Sequence, residues 1–146
     1  MPKIMIIGCG RLGQIIGNFF QINKFSVVGI RRSKVEPSKF PMYAYDIFSN
    51  EFDIFFQEQK PDYIIYSATP SSQDPKDYEW IYFNGLKKVQ HLSSQLPKAK
   101  LFFISSTRVF NGHPNETLLD DDTPTNPSDL QGEVLANAER LITDVD

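Results

Sequence analysis

Two short stretches hold residues whose types and spacing could do chemistry. In ISSTRVFNG, residues 104–112, Ser105, Ser106 and Thr107 put three hydroxyl groups directly after the apolar run LFFI. A hydroxyl at a strand tip can hold a carbonyl or alcohol oxygen, and it can equally belong to a turn. In IIGCGRLG, residues 6–13, Gly8, Gly10 and Gly13 form GxGxxG between an apolar run and a helical pattern. There Gly8 permits a tight turn, Gly10 lets a pyrophosphate approach the backbone, and Gly13 allows close packing of helix on strand. The helix that starts at Arg11 and Leu12 turns its free amides and the positive end of its dipole toward the phosphates. The chemistry indicated is the binding of a dinucleotide cofactor. Cys9, inside the turn, reads as a small buried residue with no reaction of its own.

Other positions bear on which dinucleotide. An acidic residue about 20 positions beyond the turn usually accepts hydrogen bonds from the adenosine ribose of NAD. Here the second apolar run ends Gly29-Ile30-Arg31-Arg32-Ser33. Two guanidinium groups and a hydroxyl suit a 2′-phosphate, so NADP is expected over NAD, although both arginines also read as solvated surface charges. Asp46, near the end of the third run, is either an acceptor for the adenine amino group or a loop residue. Ser67, Ala68 and Thr69, at the tip of the fourth, either line the cofactor or belong to a loop.

These residues need elements to position them. Strands are expected at KIMIIG (3–8), FSVVGI (25–30), MYAYDI (42–47), DYIIYSA (62–68) and KLFFIS (100–105). Four of the five are almost continuously apolar, as strands covered on both faces should be. Between them, Leu12, Ile15, Ile16, Phe19 and Phe20 recur at helical spacing. Phe52, Phe55 and Phe56 follow a Ser49 or Asn50 cap, and a longer helix runs from Asp77 to Leu96 before Pro97. A last helix starts at Ser128 or Asp129 with Leu130, Val134, Leu135, Ala138, Leu141 and Ile142 on its apolar side. Strands alternating with helices predict an α/β fold, a doubly wound parallel sheet.

Composition fits one soluble domain over residues 1–146. Apolar residues make up 40% and charged residues 23%, and no apolar run approaches the roughly 20 residues of a membrane span. MPKIMIIGCG has neither the apolar stretch nor the cleavage site of a signal peptide, which points to the cytoplasm. A net charge of −3 with no basic stripe argues against nucleic acid. One cysteine and two histidines offer no metal-ligand spacing, and Asp120, Asp121 and Asp122 read as solvated loop charges.

Taken together the motifs resemble the extended short-chain dehydrogenase/reductase family of NAD(P)-dependent sugar-nucleotide epimerases, dehydratases and reductases. Beyond the glycine turn the likeness includes Asn84 in YFNGLKKV, Ser106 with Val109-Phe110-Asn111-Gly112, Asp121-Asp122-Thr123-Pro124 with Pro127, and Glu139. The resemblance implies that Ser106 positions a small-molecule substrate and that Tyr-x-x-x-Lys on the next helix supplies the general acid/base. Counting back from Glu139 puts those two positions at Gln131 and Leu135, where the chain reads QGEVL. A glutamine amide exchanges no useful proton near neutral pH and a leucine offers no charge. Glu133 points to another helix face, and Tyr78 and Tyr82 read as packing residues, so no substitute acid emerges.

The resemblance also implies a further strand and a C-terminal substrate domain, which do not fit within 146 residues, and without them a sheet in the order 3-2-1-4-5. KLFFIS then forms an open sheet edge. The expectation is either the N-terminal part of a longer architecture or self-association through the helices at 77–96 and 129–142. The leading function is an atypical epimerase/dehydratase-like NAD(P)-binding protein with its proton-transfer pair absent. The alternative is a non-enzymatic dinucleotide-sensing module, similar to the regulatory domains of potassium transporters.

Overall fold

In a computed structural model, which describes residues 1–144, the chain forms two compact units. The first comprises residues 1–68 and 87–104, the second residues 69–86 and 105 onward.

The first unit holds five parallel strands, β1 (Lys3–Ile7), β2 (Ser26–Arg31), β3 (Met42–Ala44), β4 (Tyr63–Tyr66) and β5 (Lys100–Phe103). Their order is β3-β2-β1-β4-β5, as the family resemblance implies. Register pairs Ile7 with Ile30 and with Tyr66, so the carboxyl ends of the three central strands finish level. Strands β3, β4 and β5 stop earlier than the apolar runs that predict them. Each run ends in residues that keep one ladder bond but turn away: Tyr45, Ser67 and Ile104 still donate to Arg31, Ile7 and Tyr66 carbonyls.

Helix α1 (Arg11–Ile22) packs on β1 and β2, with Gly13 and Gly17 buried against the sheet. A Cβ on Gly13 would stand 3.0 Å from the Ile6 side chain, and one on Gly17 would strike the Phe40 ring. Only Ile16 and Phe20 of the expected apolar set pack into this core; Leu12, Ile15 and Phe19 are exposed. Helical spacing marks apolar positions without saying how many of them one copy of the chain can cover. Helix α2 (Asn50–Gln59) starts at Ser49, whose hydroxyl accepts the Phe52 amide at 3.2 Å, and buries Phe52, Phe55 and Phe56. The sheet side chains Met5, Ile7, Ile64 and Tyr66 are fully buried, leaving the alternate positions of β4 and β5 as the open face. Phe102 is exposed there, so β5 is not covered on both sides as its sequence predicts.

The second unit contains α3 (Pro75–Tyr78), a π-helical stretch from Glu79 to Gly85, a 3-10 turn at Thr107–Phe110 and α5 (Leu130–Thr143). In sequence the π stretch runs directly into α4 (Leu86–Ser94). The single helix expected over 77–96 is therefore three segments, because apolar spacing registers burial and is blind to which carbonyl each amide chooses. It begins earlier, with Asp74 capping the Lys76 amide at 2.9 Å, and ends earlier, where Gln95 and Leu96 donate to Leu92 and Ser93 three residues back. Helix α5 is capped by Asp129, as one of the two expected starts, but Leu130 faces solvent. Among the described residues no helix is long and apolar enough to cross a membrane.

The glycine turn is the tightest point of the first unit. Gly8 has φ +80°, and a Cβ there would lie 2.2 Å from the Ala68 Cα. Gly8→Ala is therefore expected to cost at least about 2 kcal/mol, from backbone overlap and a left-handed conformation, read as a lowered denaturant midpoint. Cys9 is fully buried beside it, and burial pushes its thiol up to about 11, only partly offset by the Arg31 cation. The neutral thiol is the favoured form in the fold. This contribution to stability is complete below the unfolded thiol's value of about 8.5 and is lost as pH rises through 11. Native protein should resist alkylation at neutral pH and react once unfolded; equal rates in the two states would contradict this burial.

Candidate functional site

The predicted cofactor residues converge at the carboxyl end of β1, β2 and β4. The Gly8 and Cys9 amides both donate to the Ile30 carbonyl, at 3.0 and 2.8 Å, which sets the glycine turn against the end of β2 at Arg31. From the other side the Ser67 hydroxyl donates to the Gly8 carbonyl at 3.1 Å, and Ala68 lies where a Gly8 side chain would be. Ser67 is thus a clamp on the turn. Thr69, next in sequence, is exposed and opens the second unit.

Gly10 differs from Gly8. Its backbone is extended, φ −80° and ψ −152°, and nothing lies within 4 Å of where its Cβ would be. Nothing in the chain requires glycine there, so the space next to it is left open. Gly10 is the N-cap of α1, no side chain caps the first-turn amides, and the first turn carries no acidic residue. Those donors and the dipole end therefore face outward with a positive bias. Arg31 ends β2 half-buried; Arg32 and Ser33 follow, exposed. No hydrogen bond or ion pair occupies either guanidinium among the described residues.

Asp46 is not part of β3, which ends at Ala44. Its carboxylate accepts the Phe48 amide at 2.9 Å and its carbonyl accepts both the Ser49 amide and hydroxyl. Those bonds make the turn that delivers the chain into α2, since an aspartate readily hydrogen-bonds the backbone two residues on. The loop reading of Asp46 is the one its contacts describe.

In the second unit, Ser106 is exposed and caps the 3-10 turn by accepting the Arg108 amide at 3.2 Å. One of its two lone pairs is engaged and its own proton remains to be given. The Ser105 hydroxyl is buried and has no partner among the described residues. Gln131 donates its amide to the Gln73 carbonyl at 2.7 Å, and Leu135 is fully buried. Tyr78 and Tyr82 are buried with ring centroids 5.2 Å apart, which is packing. Burial, with the neighbouring Tyr78 adding to it, raises the Tyr82 hydroxyl above its ordinary range.

Arg108, which sequence reasoning passed over, organises this region. Its Nε and Nη2 meet Asp129 at 3.0 Å, its Nη1 reaches Gln73 at 2.8 Å and the Tyr78 hydroxyl at 3.1 Å, and its guanidinium lies 5.4 Å from the Tyr78 ring centroid. Asp129 also accepts the Gly132 amide at 2.7 Å and the Asn111 side chain at 3.0 Å. Arg108 foremost, then the Gly132 amide, holds the Asp129 carboxyl below the usual carboxylate range, and Asp129 in turn raises Arg108. Asn111 closes the loop through Ser128, and the Gly112 amide donates to Asn126 at 2.6 Å. An arginine and an aspartate 21 residues apart leave no periodic signal; only the N-cap half of the pairing, Asp129, was visible.

No family model matches the chain, and no curated protein does. Solved structures do. A protein from Methylobacillus flagellatus described as an NAD-dependent epimerase/dehydratase is 28% identical, with a TM-score of 0.80 over 96% of this chain and 50% of that one. The UDP-glucose 4-epimerase of Thermus thermophilus, in complex with NAD, is 18% identical with a TM-score of 0.84, covering 97% of this chain and 50% of its own. The Bordetella bronchiseptica enzyme WbmH, in complex with NAD+, is 18% identical with a TM-score of 0.78, covering 99% and 52%. The latter two show the fold alone. This chain spans about half the length of each. By its motifs the chain resembles the extended short-chain dehydrogenase/reductase family, and in structure it is similar to the protein described as an NAD-dependent epimerase/dehydratase.

Proposed function

We propose that the turn between β1 and α1 binds the pyrophosphate of a nicotinamide dinucleotide, and that the chain is an epimerase/dehydratase-type protein without the usual acid/base pair. The observation that carries this reading is Gly10, a glycine with open space where its side chain would be, beside uncapped helix amides. A phosphate is the group that such an uncovered backbone accepts. The neighbours in complex with NAD support the cofactor class. The regulatory alternative finds no support among them.

NADP is preferred over NAD in this proposal because Arg31, Arg32 and Ser33 end β2 where an acidic residue would otherwise receive the ribose. Two unengaged guanidinium groups favour a 2′-phosphate by charge-assisted hydrogen bonds. Ser106 keeps a substrate-positioning role: a hydroxyl with a free proton can donate to a substrate oxygen, and Ser105 adds a second unspent hydroxyl. Proton transfer is what the chain lacks. Gln131 is tied to backbone and Leu135 belongs to the core, so turnover by the family's usual route is reduced by about 10² to 10⁴ or lost.

Titration by tryptophan or cofactor fluorescence should show NADPH binding tighter than NADH at moderate salt. The Arg31→Ala, Arg32→Ala double variant should erase at least a tenfold preference, given about 1.5–3 kcal/mol per bond to a charged group. NADH binding equally well in the parent would remove the NADP assignment. Gly10→Val should lose the cofactor with little loss of thermal stability, because nothing in the chain fills that space.

The Arg108 clamp that holds the Ser106 turn has its own signature in acid. A depressed Asp129 carboxyl stabilises the fold above its unfolded value and gives that stability up as pH falls through its folded one. Arg108→Ala should therefore move the acid-unfolding transition to higher pH, followed by circular dichroism. An unchanged acid limb would mean that Asp129 owes its ionisation to the Gly132 amide alone.

A further inference from the structure

The chain contains an asparagine followed by glycine twice, at 84–85 and at 111–112. This is the pair most open to spontaneous deamidation, because no side chain hinders attack of the glycine nitrogen on the carboxamide. Asn84 and Gly85 lie inside the π-helical stretch, with Gly85 buried, so helix geometry fixes both. Asn111 and Gly112 stand instead at the neck of the loop that leaves the 3-10 turn at Thr107–Phe110 and returns to α5.

Each residue of the second pair has a structural reason to be there. The Gly112 amide donates to the Asn126 carbonyl at 2.6 Å, and the Asn126 amide donates to the Val109 carbonyl at 2.8 Å, which closes the neck. A Cβ on Gly112 would strike that Asn126 carbonyl. Asn111 needs a carboxamide: its Nδ2 donates to Asp129 Oδ2 at 3.0 Å, while its Oδ1 accepts the Ser128 amide at 2.6 Å and the Ser128 hydroxyl at 3.1 Å. Asp129, held ionised beside Arg108, only accepts, so it also fixes which end of the Asn111 side chain is the nitrogen. Closing the loop thus demands the glycine, and anchoring it demands the asparagine. Together they build a reactive pair that the fold holds shut.

We propose that Asn111 is a gated deamidation site, protected while the Arg108–Asp129 clamp and the loop neck are closed and converted when they open. In the reaction the Gly112 nitrogen gives up its proton and bonds to the Asn111 Cγ, the Cγ–Nδ2 bond breaks, and ammonia leaves with a proton. Water then opens the cyclic imide to aspartate or isoaspartate, so the net change is one water consumed and one ammonia released. In the closed loop neither reactant is available, since the Gly112 proton is held by Asn126 and the carboxamide is held at both ends. Afterwards the loop cannot close as before. A carboxylate at position 111 faces the Asp129 carboxylate across the 3.0 Å that a hydrogen bond now spans, so attraction becomes like-charge repulsion beside the turn that carries Ser106. The site therefore records, irreversibly, how often this loop has opened.

Peptide mapping that separates asparagine, aspartate and isoaspartate, after prolonged incubation in mildly alkaline buffer, reads the reaction directly. Folded parent protein should keep its Asn111 amide at least about tenfold longer than the urea-unfolded chain, because the reaction waits for an open state. Asp129→Ser retains a cap for the Gly132 amide and removes the carboxylate. It should speed loss of the Asn111 amide about tenfold or more, as the loss of a hydrogen bond to a charged group raises the open population. Asn84 should stay intact in both folded proteins. Equal rates at Asn111 in folded and unfolded parent overturn the proposal, and so does an Asp129→Ser protein with a native circular dichroism spectrum and the parent's rate. Asn111→Asp, which installs the product, should lower the denaturant midpoint at neutral pH, with the deficit shrinking as pH falls through the carboxylate range at about 4. A midpoint equal to the parent's at neutral pH would show that the product leaves the loop closed, and would overturn the proposal as well.

Discussion

Where β1 turns into α1, the tip of β4 is pressed so closely against Gly8 that no side chain fits between them, and the first unit is built around that contact. The 2.2 Å gap to Ala68 forces glycine, and glycine permits the φ of +80° that reverses the chain. The Ile30 carbonyl, accepting two successive amides, ties the reversal to β2, while Ser67 ties it to β4. Three parallel strands are thereby made to end level around one turn. Moving any of them would shift where the α1 amides point, so packing and the direction of those amides rest on the same few bonds.

The next glycine obeys a different constraint. Gly8 is fixed by what surrounds it and Gly10 by what does not. A residue kept small beside empty space leaves the backbone there accessible, and the uncapped amides of α1 give that space a positive bias. Ser106 stands in a comparable position in the second unit, one lone pair engaged by Arg108 and its proton unspent. Binding groups are present in both units. At Gln131 and Leu135, where the resemblance expects the acid and its lysine, neither side chain moves a proton, and one substitution at each position would not simply restore the pair. Leu135 is fully buried in α5, where an ammonium would sit in the core without a counter-charge. The core has absorbed the position that chemistry would need.

Much of this was legible in the sequence, for identifiable reasons. The parallel α/β sheet followed from apolar runs alternating with helical patterns, its strand order from the family resemblance, and the glycine turn from three glycines placed between a strand and a helix. Local hydrogen bonding explains what the sequence left open or hid. Asp46 belongs to a turn because its carboxylate takes the Phe48 amide two residues on, a bond that composition allows and does not announce. The π stretch at Glu79–Gly85 was hidden because Tyr78, Tyr82, Leu86 and Val89 are buried at spacings any helix tolerates. Arg108 was missed since its partners Gln73, Tyr78 and Asp129 become neighbours only in the fold.

The two faces of the sheet carry the last step. On one, Met5, Ile7, Ile64 and Tyr66 are sealed from water; on the other, Ile65 and Phe102 are not, though the strands alternate side chains of equal apolarity. A sheet whose sequence is apolar on both faces was selected with both faces covered. The same holds for α1, whose apolar arc is wider than its own sheet can hide. The sequence therefore carries more apolar surface than the described residues bury among themselves, and the surplus is concentrated on one surface from Ile22 to Phe102. An excess spread over the molecule would carry little meaning, since scattered apolar residues are ordinary on protein surfaces. Confined to α1 and the strands beside it, it sets one side of the sheet apart from the other.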